Sequence, residues 1–372
     1  MRRSEALVAR GWLLGLLLLA ASGTQRAADA TAPREQGPFT ERNQFPFNLL
    51  FLAFPARGGA VLPKGSMELV VAEDYANTFS GSEVFTFISP PERIRLTPSS
   101  VDAAQAADPG QDLFFVDTEQ SRTSVSCRWG ATRWIEVDLE IPFLSYRGGF
   151  LDSVIEGYHD SVGLGNGSRE FYDQDIVQMV LTLGTDRYFA DRSPSTFRLG
   201  DMALVGRFAI LDVPRGAAAV SVGLKIPTGD PERLGGSGSL DEGLEVEGTL
   251  RSGRQRVHLS AGWVHTGNWD LFPDFRPADL WSFGASYEYA RNARLSWIGQ
   301  LQTQSSVFRG HEDADASLAD TSTEFLAGAR WEGAAGRWFF QAAFIENLFN
   351  QNNGVDIGGL LAFGVRHPAP KR

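Results

Sequence analysis

From Ser66 to the C-terminus the chain runs in segments of roughly ten residues in which apolar and polar positions alternate, with clusters of Gly, Pro, Asn, Asp and Ser between them. A period of two marks a strand with unlike faces, because successive side chains leave a strand on opposite sides. The clearest segment is Trp134 to Phe143, where Ile135, Val137, Leu139, Ile141 and Phe143 alternate with Glu136, Asp138, Glu140 and Pro142. The pattern returns in Val220, Val222, Leu224 and Ile226 against Ser221, Gly223 and Lys225. It returns again in Leu244, Val246, Gly248 and Leu250 against Glu245, Glu247, Thr249 and Arg251, and in Trp338, Phe340, Ala342 and Phe344 against Gln341 and Ala343.

Strands are predicted at 66–79, 111–129, 133–144, 174–184, 197–211, 217–227, 241–251, 255–266, 279–290, 294–304, 322–331, 336–346 and 356–366, with a weaker segment at 83–88. A β-sandwich in water also alternates, but one shared core limits it to fewer and shorter strands. Here the polar set is rich in Gly, Ser, Thr and Gln, which suits the wet lumen of a wide barrel. From residue 197 onward short connections (212–216, 252–254, 291–293, 332–335) alternate with long ones (228–240, 267–278, 305–321, 347–355). Short turns on one side and long loops on the other are the habit of outer-membrane barrels, which also favour an even strand number. The expectation is therefore an all-β fold, an antiparallel up-and-down transmembrane β-barrel of about 14 strands, with 12 as the alternative.

Aromatic residues sharpen this reading. Trp129 and Trp134, Tyr289 and Trp297, and Trp331 and Trp338 each bracket a short turn, where an interfacial girdle lies. Cross-strand pairing beside hairpins is the plainer explanation, but the feature recurs at three turns. One stretch breaks the strand pattern: Phe150, Leu151, Val154, Ile155, Tyr158 and Val162 share a helical face, predicting a short helix near 150–162. Counting strands places it on the short-turn side, capping the barrel or folding into its lumen.

The N-terminus adds a location. Arg2 and Arg3, the apolar run Trp12 to Ala21 and the small residues Ala20-Ala21-Ser22-Gly23 form a secretory leader at 1–23. Its ten consecutive apolar residues are too few for a spanning helix, which needs about 20. No cysteine follows it to carry a lipid. A linker and ordered arm (24–62), including Arg42-Asn43-Gln44-Phe45-Pro46-Phe47, lead into the barrel (63–367) and a short tail (368–372). The formal charge of −11 becomes about −13 once the leader's three arginines and one glutamate are removed. Such a chain has no electrostatic reason to bind nucleic acid. The single cysteine, Cys127, rules out an intramolecular disulfide and a multi-cysteine metal site.

Arg42-Asn43-Gln44, Gly148-Gly149-Phe150-Leu151-Asp152 leading into Ile155-Glu156 and His159, and Glu346-Asn347 before a Gly-rich last strand together resemble the bacterial proteins grouped as domain of unknown function 3187. The resemblance covers most of the mature chain and implies an outer-membrane barrel. Separately, Lys225-Ile226-Pro227-Thr228-Gly229-Asp230 with Gly235 to Gly238 and Asp241 is similar to a loop of outer-membrane barrels proposed to take up aromatic compounds. Barrels of this kind usually end on an aromatic residue, whereas here Phe363 is followed by Gly364-Val365-Arg366-His367-Pro368 and a tail to Arg372.

Candidate chemistry follows from the facing of the strands. Glu136, Asp138 and Glu140 stand roughly 6.6 to 7 Å apart on one strand face. They either bias a pore toward cations or simply form a solvated inner face. Lys225, Glu245 and Glu247 join them as lumen-facing candidates. His258 and Ser260 have the i, i+2 spacing of a base and nucleophile in an outer-membrane lipase, but they share the polar face, whereas a lipase must offer its serine to lipid. His265 has no serine two residues on. On the predicted helix, Phe150 and Asp152 with Glu156, His159 and Asp160 form a candidate plug or cap, and the last three could touch a cation or form a solvent-facing stripe. Pro227, Thr228, Gly229 and Asp230 with Gly235-Gly236-Ser237-Gly238 read as a flexible surface loop rather than a phosphate cradle, since no Lys-Ser/Thr follows.

No cofactor and no metal are expected. The functional expectation is an outer-membrane channel or small-solute transporter of a Gram-negative cell. Its partners are the lipid bilayer, a small solute and the barrel-insertion machinery. A non-transporting structural barrel, a periplasmic β-rich binding module and a lipase are the alternatives.

Overall fold

A computed structural model describes residues 35–368, apart from 87–89, 91, 164, 167, 312, 334–335 and 350–352. The predicted leader, the first part of the linker and the end of the tail lie outside the described residues. The strands are β1 (Met67–Gly81), β2 (Phe114–Gly130), β3 (Ile135–Arg147), β4 (Gln178–Leu183), β5 (Asp186–Ala190), β6 (Arg198–Leu199), β7 (Met202–Val213), β8 (Gly216–Ile226), β9 (Asp241–Ser252), β10 (Gln255–His265), β11 (Leu280–Ala290), β12 (Leu295–Gln304), β13 (Ser322–Glu332), β14 (Trp338–Asn347) and β15 (Ile357–His367).

Twelve of them close a barrel. β7 to β15 pair in succession, β15 pairs with β1, β1 with β2, β2 with β3 and β3 with β7, every pairing antiparallel. Closure leaves no sheet edge, so the ladder's backbone groups are satisfied within the wall. The strand number is thus the alternative, twelve, and not fourteen. Two assignments account for the difference. Glu83–Thr86, inside the weak segment 83–88, is a helical turn. The strand predicted at 174–184 exists as β4, but it pairs only with the upper end of β2 and with β5, forming a hairpin outside the closed ring.

That extra strand also shifted the parity of the connections. Short turns join β2 to β3, β7 to β8, β9 to β10, β11 to β12 and β13 to β14, and both the start of β1 and the end of β15 lie at the same rim. The helix Leu151–Val162, in the connection from β3 to β7, therefore sits on the long-loop side and not on the short-turn side.

Outward positions are greasy. Val246, Leu250, Phe283, Trp297, Phe344 and Leu361 are among the exposed large apolar residues of the wall. Inward positions are charged or polar and buried, including Glu136, Arg207, Ser221, Lys225, Glu288 and Gln341. Ile135, Val137 and Leu139 point away from the lumen, on the face opposite Glu136 and Asp138. Trp129 and Trp134, Tyr289 and Trp297, and Trp331 and Trp338 all stand at the short-turn rim; Tyr289 lies directly across from Trp297, and the Trp331 and Trp338 rings are 4.7 Å apart. Among the described residues no helix is long and apolar enough to cross a membrane.

Candidate functional site: a lumen threaded by the N-terminal arm

The inner faces of a twelve-stranded barrel enclose more space than their own side chains fill. Residues 35–62 fill it. The arm enters at the short-turn rim, where the amides of Gln36 and Gly37 donate to Glu288 (3.3 and 3.2 Å). It climbs past Gln300, which accepts from the amide of Phe39 at 2.9 Å, to Asn43, whose amide group donates to Ser322 at 2.8 Å. A 3-10 turn at Asn48–Leu50 reverses it. The returning leg donates from Leu52 to Asp241 (2.7 Å), from Gly59 to Thr249 (2.9 Å) and from Leu62 to Glu136 (2.7 Å), then leaves at the rim where it entered.

At the apex the chain's aromatic residues meet. Phe47 and Phe51 stand 6.0 and 5.9 Å from Trp269, which packs on Phe272 at 4.8 Å, and Phe308 closes the group. Lys225 lies beneath, donating to the Leu50 carbonyl at 2.9 Å and pairing with Asp201 at 2.7 Å and Asp241 at 3.3 Å. Apolar docking and charge pairing thus pin the same turn.

The carboxylate ladder is not a solvated face. Glu136 lies 2.9 Å from Arg128 and 3.0 Å from Arg207, Asp138 pairs with Arg57 of the arm, and Glu140 with Arg122. Arg207 also binds Glu247 and donates to the carbonyls of Gly58 (2.6 Å) and Ala60 (3.3 Å). Glu245 and Glu247 are buried on the same face. The arginines were not singled out from the sequence. Register is the signal that could have found them, because Arg128 lies directly across the β2–β3 hairpin from Asp138.

Small inner-face residues clear room for the arm. A side chain at Gly223 or Gly243 would come within 2.8 or 2.7 Å of the Phe54 ring, and one at Gly284 within 3.1 Å of Ala56. The Gly and Ser content that suggested a wet lumen is, at these positions, a docking surface. Among the described residues, two clefts flank the arm between it and the wall. The larger lies between Arg42, Phe54 and Arg57 of the arm and Arg122, Asp138 and Val205 of the wall. The smaller lies between Glu41, Asn43 and Ala56 and the wall residues Ser260, Gln302 and Glu324.

The remaining candidates fall as follows. His258 faces inward with Nε2 3.2 Å from Glu288 and Nδ1 3.0 Å from Thr249, while Ser260 lines the smaller cleft; both ring nitrogens are engaged away from that serine. His265 is exposed and bonded to Asp279 at 2.8 Å. At Pro227-Thr228-Gly229-Asp230 the loop is tied to Asp201, which accepts from the amides of Thr228 (3.0 Å), Gly229 (2.9 Å) and Ser237 (3.1 Å), so a carboxylate fills the backbone cradle.

The helix lies outside the wall and does not enter the lumen. Asp152 binds Arg169 and accepts from Asn77 at 3.1 Å, and Glu156 pairs with Arg93 at 2.7 Å. Arg169 also reaches Asp356, whose carboxyl burial holds above its ordinary range, an effect the arginine opposes. Asp160 turns to Asn166 (2.9 Å), so Glu156, His159 and Asp160 do not converge, and among the described residues no set of three His, Cys, Asp or Glu could hold a metal. The expected apolar face is split, with Ile155 buried and Phe150, Val154, Tyr158 and Val162 exposed.

No curated protein matches the chain. Among solved structures, the COG4313 outer membrane channel from Pseudomonas putida F1 shares 13% identity at a TM-score of 0.51, with 83% of this chain and 98% of that one covered. The NanC porin shares 9% at a TM-score of 0.39 (79% and 98% covered), and a FadL homologue from Pseudomonas aeruginosa 8% at 0.37 (92% and 100% covered); these two scores add nothing to the fold assignment. Over residues 16–367 the sequence matches the family described as protein of unknown function (DUF3187), and the chain belongs to that family.

Proposed function

We propose that this protein is an outer-membrane channel for small solutes, placed there by export and the barrel-insertion machinery, and that its N-terminal arm sets how far the lumen is open. The observation that carries this reading is the inversion of faces in a closed barrel: apolar rings and branched chains outside, ion pairs and a threaded arm inside. In water that exterior would be a large exposed apolar surface, of a size that marks a membrane or partner interface. In a bilayer it is the ordinary outer band of a β-barrel. A solute passing the two clefts would move between the arm and the wall, past Arg42, Arg57 and Glu41. The ladder Glu136, Asp138 and Glu140 then serves chiefly to hold the arm and its neighbouring arginines, because its charge is already compensated.

Single-channel recording in planar bilayers tests this. The intact chain is expected to pass a small current, and a chain lacking residues 35–62 a current larger by about an order of magnitude, since an open lumen conducts where a filled one does not. Absence of current from both would leave a non-transporting structural barrel. Recovery of the exported protein in the soluble periplasm would remove the membrane reading itself.

A further inference from the structure

The helix Leu151–Val162 is held by one side and bare on the other. Glu119, on the outer face of β2, accepts from the amides of Phe150 (2.6 Å) and Leu151, which fixes the helix start against the outside of the wall. Asp152, Ile155 and Glu156 face the protein, and the bonds of Asp152 and Glu156 to Asn77, Arg169 and Arg93 prevent rotation about the axis. The opposite side carries Phe150, Val154, Tyr158 and Val162, exposed at 58, 54, 61 and 53%, at a four-residue spacing. Ser153, Gly157 and Ser161 lie between them on that side, and the exposed Asp160 borders it, its carboxylate accepting from Asn166 at 2.9 Å.

We infer that this stripe lies in the boundary between headgroups and acyl chains of the outer leaflet, making the helix an interfacial strap beside the barrel. The inference rests on the membrane reading given above. What selects lipid as the occupant is continuity: the Phe150 ring is stacked on Tyr75 at 6.3 Å, and Tyr75 lies on the outward row of β1 with Leu69 and Val71, the intervening Glu73 having its carboxylate bonded to Thr123. The stripe thus begins on the surface that the barrel presents to hydrocarbon. Its chemistry fits the same occupant. An amphipathic helix at an interface buries its apolar side about 5–10 Å into the boundary, and this one has no Lys or Arg to bind phosphates, so its attachment is apolar rather than electrostatic.

Depth-dependent fluorescence quenching separates the possibilities. The full chain, with Cys127→Ser, would carry a bimane label at Val154→Cys or Tyr158→Cys, and in a reference protein at Phe344→Cys on the outward face of β14. Each is reconstituted into phosphatidylcholine vesicles brominated near the carbonyl end of the acyl chains. Quenching of about twofold at 154 and 158, comparable with that at 344, is expected for a strap in the boundary. Quenching at 344 without quenching at 154 and 158 overturns the inference while leaving the membrane reading intact. No quenching at any of the three removes both.

Discussion

Arg207 shows how much one lumen residue carries. Its guanidinium is 1% exposed and bridges Glu136 on β3, Glu247 on β9 and two carbonyls of the returning arm. A buried charge stripped of its partner is costly, so Arg207→Met, which takes the ion-pair partner from Glu247 and leaves Glu136 with Arg128 alone, is expected to destabilise the protein by about 3–5 kcal/mol. Equilibrium urea unfolding in detergent micelles measures this. Gly243 makes the complementary point with bulk instead of charge. A side chain there meets both Phe54 and the Trp263 carbonyl at 2.7 Å. Gly243→Val is therefore expected to push residues 52–56 off the wall, and limited proteolysis of the reconstituted protein should cut the arm severalfold faster while leaving the barrel whole. From the sequence Gly243 is only one more glycine on a polar strand face, because nothing local records that a phenylalanine nearly two hundred residues earlier will lie on it.

Among elements, the arm and the helix exchange the roles that pattern alone assigns them. The arm has neither a helical nor a strand period, and its partners are spread from Gln120 to Asn353, so its course through the lumen could not be read in advance. The helix has a plain amphipathic period but no period states what covers its greasy side. The aromatic apex that stops the arm is built from distant loops, and Trp269→Ala should remove about 3–5 kcal/mol of packing there. Since that packing holds the reversal at Asn48–Leu50, the same variant is expected to raise the single-channel current and its open-state noise without changing the barrel's strand content by circular dichroism. An unchanged current would show that Lys225 with Asp201 and Asp241 suffices to pin the turn.

At the scale of the whole molecule the barrel is a container whose wall and filler are one chain. Among the described residues many inner-face charges are matched across strands or by the arm, so ion pairs and the threaded segment 35–62 occupy the lumen, with clefts between arm and wall. The difference between the intact and arm-deleted currents follows from that arrangement, and it is the largest effect expected of any change to the chain. The hairpin β4–β5 extends the wall beyond the barrel on the long-loop side, and the segments around Arg93 and Arg169 brace the helix through Glu156 and Asp152. Deleting such a bracing element should affect the helix and not the closure of the barrel.

The sequence by itself determined that the protein is built of two-faced strands joined by alternately short and long connections, with the greasy faces of Ile135, Val137 and Leu139 opposite Glu136 and Asp138. Both are local properties, because facing follows from a period of two and turn length from glycine and polar clusters. Only the tertiary structure decided that twelve strands close the ring, that β4 stands outside it, and that the lumen is occupied by residues 35–62. Each depends on which strand finds which partner across long chain separations. Pairing, register and the filling of a cavity are properties of the closed object, and no window of neighbouring residues contains them.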